Sequence, residues 1–240
     1  MAGVALITGS AVRVGREIAF HLAEAGWDLA LHYYSSLKEA SYLEADLKAS
    51  YPKQQFSLLK ASLSSVEETR KLISSTIDYF GQLDLLINNA AIFESASLKD
   101  TSVQILDRHW QINCRAPFIL INDFATQAEK GIIINLVDSR ITRNDSDYLA
   151  YTLSKKALWE MTKMAALELA PAFRVNAIAP GALLSPVGKS TDYLYKVALK
   201  TPMKEPVGMN SLLKSIDYLL ENETMTGQLL FCDGGANLQC

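Results

Sequence analysis

The chain has 240 residues, 49% of them hydrophobic and 20% charged, enough for one α/β domain with a full core or at most two small ones. A net charge of −3 leaves no electrostatic footprint for nucleic acid or an anionic membrane, so the expected partner is a small molecule. No apolar run approaches the roughly 18 residues of a membrane helix, and MAGVALITGS lacks a basic segment followed by a long apolar one, so the expected location is the cytoplasm.

Val4 to Thr8 (VALIT) reads as a buried strand, and the residues after it carry Val14, Ile18, Leu22 and Ala25 at helical period up to a stop at Gly26. The join, TGSAVRVG, sets Gly9 where the chain must leave the strand sharply and Gly15 where the helix must lie close to the sheet. A helix N-terminus there suits a diphosphate. Trp27 to Tyr34 predicts a second strand, Leu37 to Ser50 a helix, Gln55 to Ala61 a third strand, and SVEETRKLISSTIDYFG a helix stopped by Gly81. LDLLINNAA is a fourth strand running into a polar loop. From about Thr101 to Gln127 a long helix is expected, bent or interrupted near Pro117, with Asn113 at its polar middle.

Ile132 to Val137 (IIINLV) is a fifth buried strand that stops at Asp138, and the next helix, to Ala170, opens around Tyr151. That helix is apolar on two sides, which predicts the sheet as one cover and a partner subunit as the other. FRVNAIAPG forms a sixth strand ending at Pro180 and Gly181, and the irregular, proline-rich stretch to Gly208 is expected to be a mobile cover over the site. Asn210 to Glu221 predicts a helix and Gln228 to Cys232 a last strand. Strands alternating with helices give a parallel sheet with ligands at the strands' carboxyl ends, where Asn88, Asn89 and Asp138 fall. The dispersed Cys114, Cys232 and Cys240, and His21, His32 and His109, lack the spacing of a disulfide framework or of metal ligands, so no metal is expected.

Tyr151 and Lys155 stand four apart and project from one helix face. A nearby ammonium favours phenolate, so the tyrosine pKa is expected to fall from about 10 toward working pH and make Tyr151 a general acid.

Taken together, Thr8–Gly9, Asn88–Asn89–Ala90, Asn113, the Tyr151 and Lys155 pair, RVNAIAPG and the terminal TGQLLFCDGG resemble the short-chain dehydrogenase/reductase family along the whole chain. The resemblance implies one domain over 1–240, an α/β Rossmann-type doubly wound sheet of seven parallel strands with helices on both faces. It also implies hydride transfer with a nicotinamide cofactor and a homotetramer. Four departures resemble the family's pteridine reductase subgroup: Asp138 where Ser is usual, Arg13 for the middle glycine, Phe93 after the asparagine motif, and HYYSS closing the second strand. In that subgroup the aromatic at the Phe93 position stacks the pterin against the nicotinamide, and the loop arginine lies near cofactor phosphate and pterin.

The implied cofactor set comprises Gly9, Arg13, Val14, Gly15, His32, Ser35 and Ser36, then Ser62 and Leu63 toward the adenine, then Asn89, Ala90 and Ala91. Tyr151, Lys155, Pro180, Gly181 and Ser185 complete it, Ser185 matching the hydroxyl that bonds the carboxamide. No acid follows the second strand before Glu39, where one would repel a 2′-phosphate, and His32, Ser35, Ser36 and Arg13 supply donors, so the cofactor is expected to be NADPH. Asp138, Tyr151, Lys155 and Asn113 form the expected catalytic set, with Asp138 helping relay a proton to a ring nitrogen, Lys155 holding the nicotinamide ribose and Asn113 holding a water behind Lys155. Arg13, Phe93, Asp138 and Tyr151 are expected to meet the substrate. The leading expectation is therefore a reductase of dihydropterins or dihydrofolate. A carbonyl reductase of 3-oxoacyl type, with Ser139 in the usual serine's role, and a nucleotide-binding sensor without turnover stand as alternatives.

Overall fold

The computed structural model describes residues 3–144, 146–185, 188, 190 and 192–239. Seven strands, β1 (Val4–Ile7), β2 (Asp28–Tyr33), β3 (Phe56–Lys60), β4 (Leu85–Asn88), β5 (Gly131–Leu136), β6 (Phe173–Pro180) and β7 (Leu229–Cys232), form one sheet in the order β3-β2-β1-β4-β5-β6-β7. All neighbouring strands run parallel, as the alternation of apolar runs with helical segments requires. The order reverses between β1 and β4, which opens a crevice at their carboxyl ends.

Strand period divides the core in two. Ala5 and Ile7 of β1 face one side, with Ile18 and Leu22 of α1 (Arg13–Glu24), Leu43 and Leu47 of α2 (Leu37–Ser50), and Leu212, Ile216 and Leu219 of α8 (Met209–Glu221). Val4 and Leu6 face the other, with Leu72 and Ile73 of α3 (Val66–Phe80), Leu120 and Phe124 of α5 (Ala116–Gln127), and Ala165 and Ala166 of α6 (Leu149–Leu169). Both faces of β1 and β4 are buried, which is why these strands read as unbroken apolar runs. Local chemistry sets the helix ends: Ser65 Oγ accepts from the Glu68 N–H at the start of α3, and Gly81 ends it with φ 82°.

The expected long helix before β5 is three pieces: α4 (Val103–Trp110), a π-helical stretch (Gln111–Arg115) and α5. The interruption falls near Pro117 as expected, because the helical backbone runs on through Trp110, Arg115 and Ala116, and a proline inside it lacks the N–H and crowds the preceding turn. The wider turn comes just before it and is centred on Asn113. The stretch read as irregular contains a further helix, α7 (Asp192–Ala198), and the expected mobility at 186, 187, 189 and 191 lies outside the described residues. No helix among the described residues is long and apolar enough to cross a membrane.

Arg174 closes the end of α8. Its Nη1 donates to the Leu219 and Asn222 carbonyls at 2.8 and 2.9 Å, and Nη2 to the Leu220 carbonyl at 3.2 Å, satisfying acceptors that a helix end leaves open. Arg174→Met keeps most of the stem and removes these donors. It should lower unfolding stability by roughly 1.5–3 kcal/mol, the scale of charged hydrogen bonds, read as a lower urea midpoint at unchanged m value.

Candidate active site

A cleft of roughly 800 Å³ opens at the carboxyl ends of β1, β4, β5 and β6, lined by Arg13, Asn89, Asp138, Tyr151, Lys155 and Gly181 among others. Its floor is the turn after β1. Gly9 has φ 65° and Arg13, the residue standing for the middle glycine, has φ 53°, a left-handed backbone that L residues rarely adopt. Gly15 is the tightest point, since a Cβ there would come within 2.1 Å of the Gly9 carbonyl oxygen. Val12 precedes α1 without a side-chain cap, so the helix's first N–H groups keep their capacity for an anionic ligand, as a diphosphate cradle requires.

Two buried side chains hold this turn. Thr8 Oγ1 accepts from the Asn89 and Ala90 N–H groups at 3.0 Å, while Asn89 Nδ2 donates to the Thr8 and Gly9 carbonyls at 2.8 and 3.1 Å. His32 Nδ1 accepts from the Gly9 N–H at 3.0 Å, which fixes the Nε2–H tautomer and lets it donate to the Ala61 carbonyl at 3.1 Å. Both ring nitrogens are occupied, the residue is 2% exposed, and burial lowers its pKa to about 4. His32 therefore does not offer a donor to a 2′-phosphate, contrary to expectation. It shapes the glycine turn from below.

At the centre, Tyr151 OH donates to Asp138 Oδ2 at 2.8 Å, and Asp138 Oδ1 accepts from the Arg140 N–H at 2.8 Å. Lys155 Nζ donates to the Leu136 carbonyl at 2.6 Å and lies 6.0 Å from the Tyr151 ring centroid. The expectation that Lys155 pulls the Tyr151 pKa down is overturned in this arrangement. Burial, and then the Asp138 carboxylate, push the phenol well above its ordinary value. Burial also raises the Asp138 carboxyl, against the opposing Arg140 N–H and Tyr151 hydrogen bonds, and lowers Lys155 to about 8. The Tyr151 hydroxyl meets Asp138, leaving Ser139 buried beside it.

The Asn113 side chain is fully engaged by protein groups. Its Oδ1 accepts from the Ile92 N–H at 2.9 Å, and Nδ2 donates to the Ile92 carbonyl at 3.0 Å and to Ser154 Oγ at 3.1 Å. Ser154 Oγ in turn donates to the Tyr151 carbonyl at 2.7 Å. The amide thus ties the loop after β4 to the helix carrying Tyr151.

Phe93, 48% exposed, stacks on Tyr148 with ring centroids 4.5 Å apart and meets Tyr151 edge-on at 4.6 Å. Arg140 flanks the stack, its Cζ 4.6 Å from the Tyr148 centroid and 5.7 Å from that of Phe93. Tyr148 and Arg140 escaped the sequence reading, although Tyr148 is three residues before Tyr151, the helical spacing that brings side chains together. Val14, Ala91 and Pro180 line the cleft as expected, and Arg13 does so while its Nη2 donates to the Ser185 carbonyl at 3.0 Å. The Ser185 hydroxyl donates to the Ser190 carbonyl at 3.0 Å. Ser35 is exposed and Ser36 precedes α2 without a capping bond, while Ser62 Oγ pairs with Ser64 Oγ at 2.8 Å beside buried Leu63.

Comparison with known proteins draws the same outline. A family model described as enoyl-(acyl carrier protein) reductase matches residues 9–237. The chain belongs to the short-chain dehydrogenase/reductase family. This oxidoreductase is 33% identical over 242 residues to pteridine reductase 1 of Leishmania tarentolae, covering 82% of this chain and 84% of that protein. It is also similar to FolM alternative dihydrofolate reductase 1 from Brucella canis, solved in complex with NADP, at 31% identity and a TM-score of 0.92 over 98% of this chain and 94% of that one. A 3-oxoacyl-[acyl-carrier-protein] reductase of Staphylococcus epidermidis is 28% identical over 239 residues, 96% of this chain and 97% of that protein.

The reductase's buried His32 carries a pH signature. Its folded pKa of about 4 lies below the ordinary histidine value of 6.5, so the unfolded chain binds the extra proton in between. Its contribution to stability is complete above about 6.5 and is lost as pH falls toward about 4, at up to about 1.4 kcal/mol per pH unit. Urea unfolding of the wild type and His32→Gln from pH 7 to 4 should show a shallower loss in the variant. Parallel curves would remove His32 as the titrating group.

Proposed function

We propose that this protein is an NADPH-dependent reductase of dihydropterins or dihydrofolate, working in the cytoplasm as a homotetramer. The observation that carries the reading is the Asp138 carboxyl, hydrogen-bonded to the Tyr151 hydroxyl and raised by burial toward its protonated form. A site built only to orient a ketone oxygen needs a hydroxyl there. A carboxyl whose hold on its proton is raised can deliver that proton to a ring nitrogen.

Bound NADPH supplies the hydride. The turn from Gly9 to Gly15 and the uncapped start of α1 would hold its diphosphate, and Ser35, Ser36 and Arg13 its 2′-phosphate. Lys155 would hold the nicotinamide ribose, Ser62 and Leu63 the adenine, and Ser185 the carboxamide. In the ligand-free arrangement the Ser185 hydroxyl bonds the Ser190 carbonyl, so that contact requires it to turn. Phe93 offers an exposed aromatic face beside Tyr151 for a planar ring. Tyr151 and Asp138 then act as one proton-holding pair, Tyr151 donating and Asp138 restoring its proton.

Asp138→Asn keeps size and hydrogen bonding but removes the acid. Turnover of dihydropterin should fall on the order of 10²-fold with NADPH affinity retained. A loss under about threefold would reduce Asp138 to an orienting group. The 3-oxoacyl relative keeps the carbonyl reading open, and it takes over if the unaltered enzyme reduces an acetoacetyl thioester better than dihydrobiopterin, dihydromonapterin or dihydrofolate.

The tetramer rests on surface chemistry. One side of α6 covers the sheet with Leu158, Thr162, Ala165 and Ala166, while Leu153, Met164 and Leu167 stand exposed, Leu167 at 87%, as do Trp110 and Phe118 on the preceding helices. Sedimentation of the wild type at on the order of micromolar concentration should report a tetramer that Leu167→Glu weakens. A monomeric wild type would refute it.

A further inference from the structure

The outer part of the cleft contains an arginine that the reaction does not use. Arg143 follows the 3₁₀ turn Ser139–Thr142 and lines the same cleft as Asp138, Phe93 and Tyr151. Its main-chain N–H donates to the Arg140 carbonyl at 3.1 Å, but its side chain has no ion-pair or hydrogen-bond partner among the described residues. The Nε atom is shut off from solvent as well. A guanidinium N–H withdrawn from water without an acceptor is unfavourable, so the side chain gains when it turns to meet an acceptor that a ligand brings into the cleft.

Charge around it points to what that acceptor is. Lys196 of α7 and Lys200 line the same cleft, against one exposed acid of the cover that also lines it, Glu205, while the exposed Asp192 of α7 does not. Of the other lining acids, Asp138 is engaged by Tyr151 and the Arg140 N–H, and Asp233 by the Gly235 and Asn237 N–H groups. A cofactor phosphate is a poor fit for Arg143. The diphosphate cradle follows β1, whereas Arg143 follows β5 with β4 between them, two strand spacings or roughly 10 Å across the sheet.

We propose that Arg143 is a specificity residue that pairs with a carboxylate on the substrate's tail, so that the enzyme favours a dihydropterin carrying an anionic conjugate, of the dihydrofolate type, over one with a neutral hydroxylated side chain. The inference rests on the pterin reading and deepens it. Tyr151, Asp138 and Phe93 handle the ring, and Arg143 reads what hangs from it, with Lys196 and Lys200 adding attraction of the same sign. The planar guanidinium fork matches a carboxylate through two parallel N–H donors, a geometry an ammonium cannot reproduce.

The test compares KM for dihydrofolate and for dihydrobiopterin, at saturating NADPH, in wild type, Arg143→Gln and Arg143→Lys. The ratio of the two KM values, dihydrofolate over dihydrobiopterin, should rise about tenfold or more in Arg143→Gln and by less in Arg143→Lys, which keeps the charge but not the fork. Equal changes for both substrates would overturn the proposal, because a merely structural arginine would disturb both. Wild type gives an independent check: raising salt from about 20 to about 300 mM should raise KM for dihydrofolate more than for dihydrobiopterin, and an equal response also counts against the proposal. If wild type turns over neither compound, the pterin reading itself falls and the tail assignment with it. If Arg143→Gln instead impairs only an acetoacetyl coenzyme A thioester, Arg143 serves the phosphates of an acyl carrier, and the carboxylate assignment is wrong.

Discussion

A buried ammonium governs the architecture of this site. Lys155 is 2% exposed, and burial, only partly opposed by the Asp138 charge, brings its pKa to about 8, so the fold must supply what water no longer does. The Leu136 carbonyl at the end of β5 accepts one of its protons at 2.6 Å, and the Asp138 charge opposes the loss of its own. These demands fix the local layout. The strand must end where its last carbonyl can reach α6, the acid must follow within two residues, and the helix must present Lys155 inward. A turn inserted between Leu136 and Asp138 would separate the two groups that keep the ammonium charged.

What presents Lys155 inward is a second buried element. Asn88 Nδ2 donates to Asn135 Oδ1 at 2.8 Å, Asn135 Nδ2 to Thr162 Oγ1 at 2.9 Å, and Thr162 Oγ1 to the Leu158 carbonyl at 2.8 Å. This polar chain crosses from β4 through β5 to α6. Thr162 lies seven residues after Lys155 and eleven after Tyr151, and at about 100° per residue both intervals close to within roughly 20° of whole turns. Anchoring Thr162 to the sheet therefore sets the rotation of α6 and aims Tyr151 and Lys155 at the crevice. The amide of Asn113, through Ser154, fixes the same helix one turn from Tyr151.

Strand runs and the spacing of Asp138, Tyr151 and Lys155 are local patterns, so sheet, crossovers and central cluster were all legible in the sequence. The failures have one physical cause, which is that they depend on burial and on partners distant in the chain. His32 looks like a phosphate donor until Gly9 and Ala61 take both its nitrogens. Lys155 looks like the tyrosine's nearest charge until the fold sets its ammonium 6.0 Å from the ring centroid and brings a carboxylate to the hydroxyl. The π-helical stretch has no compositional mark at all. Pro117 marks only where the helix is interrupted, and the widened turn just upstream of it carries Asn113, whose amide bonds Ile92 and Ser154.

The scaffold this chain shares with carbonyl and pterin reductases does not decide its chemistry; the hydrogen-bond inventory at position 138 does. A serine hydroxyl can donate to the same substrate oxygen as the Tyr151 hydroxyl, so both groups point at one carbonyl. An ionised carboxylate only accepts, and here Asp138 takes the Tyr151 proton on one oxygen and the Arg140 N–H on the other. In that state the pair offers nothing to a ketone. It becomes a donor once the carboxyl itself is protonated, and burial pushes both groups toward their protonated forms. Such a pair is badly matched to a substrate that needs two converging donors on oxygen. It suits one that needs a single proton passed along to a nitrogen, with Lys155 stabilising the negative charge left behind.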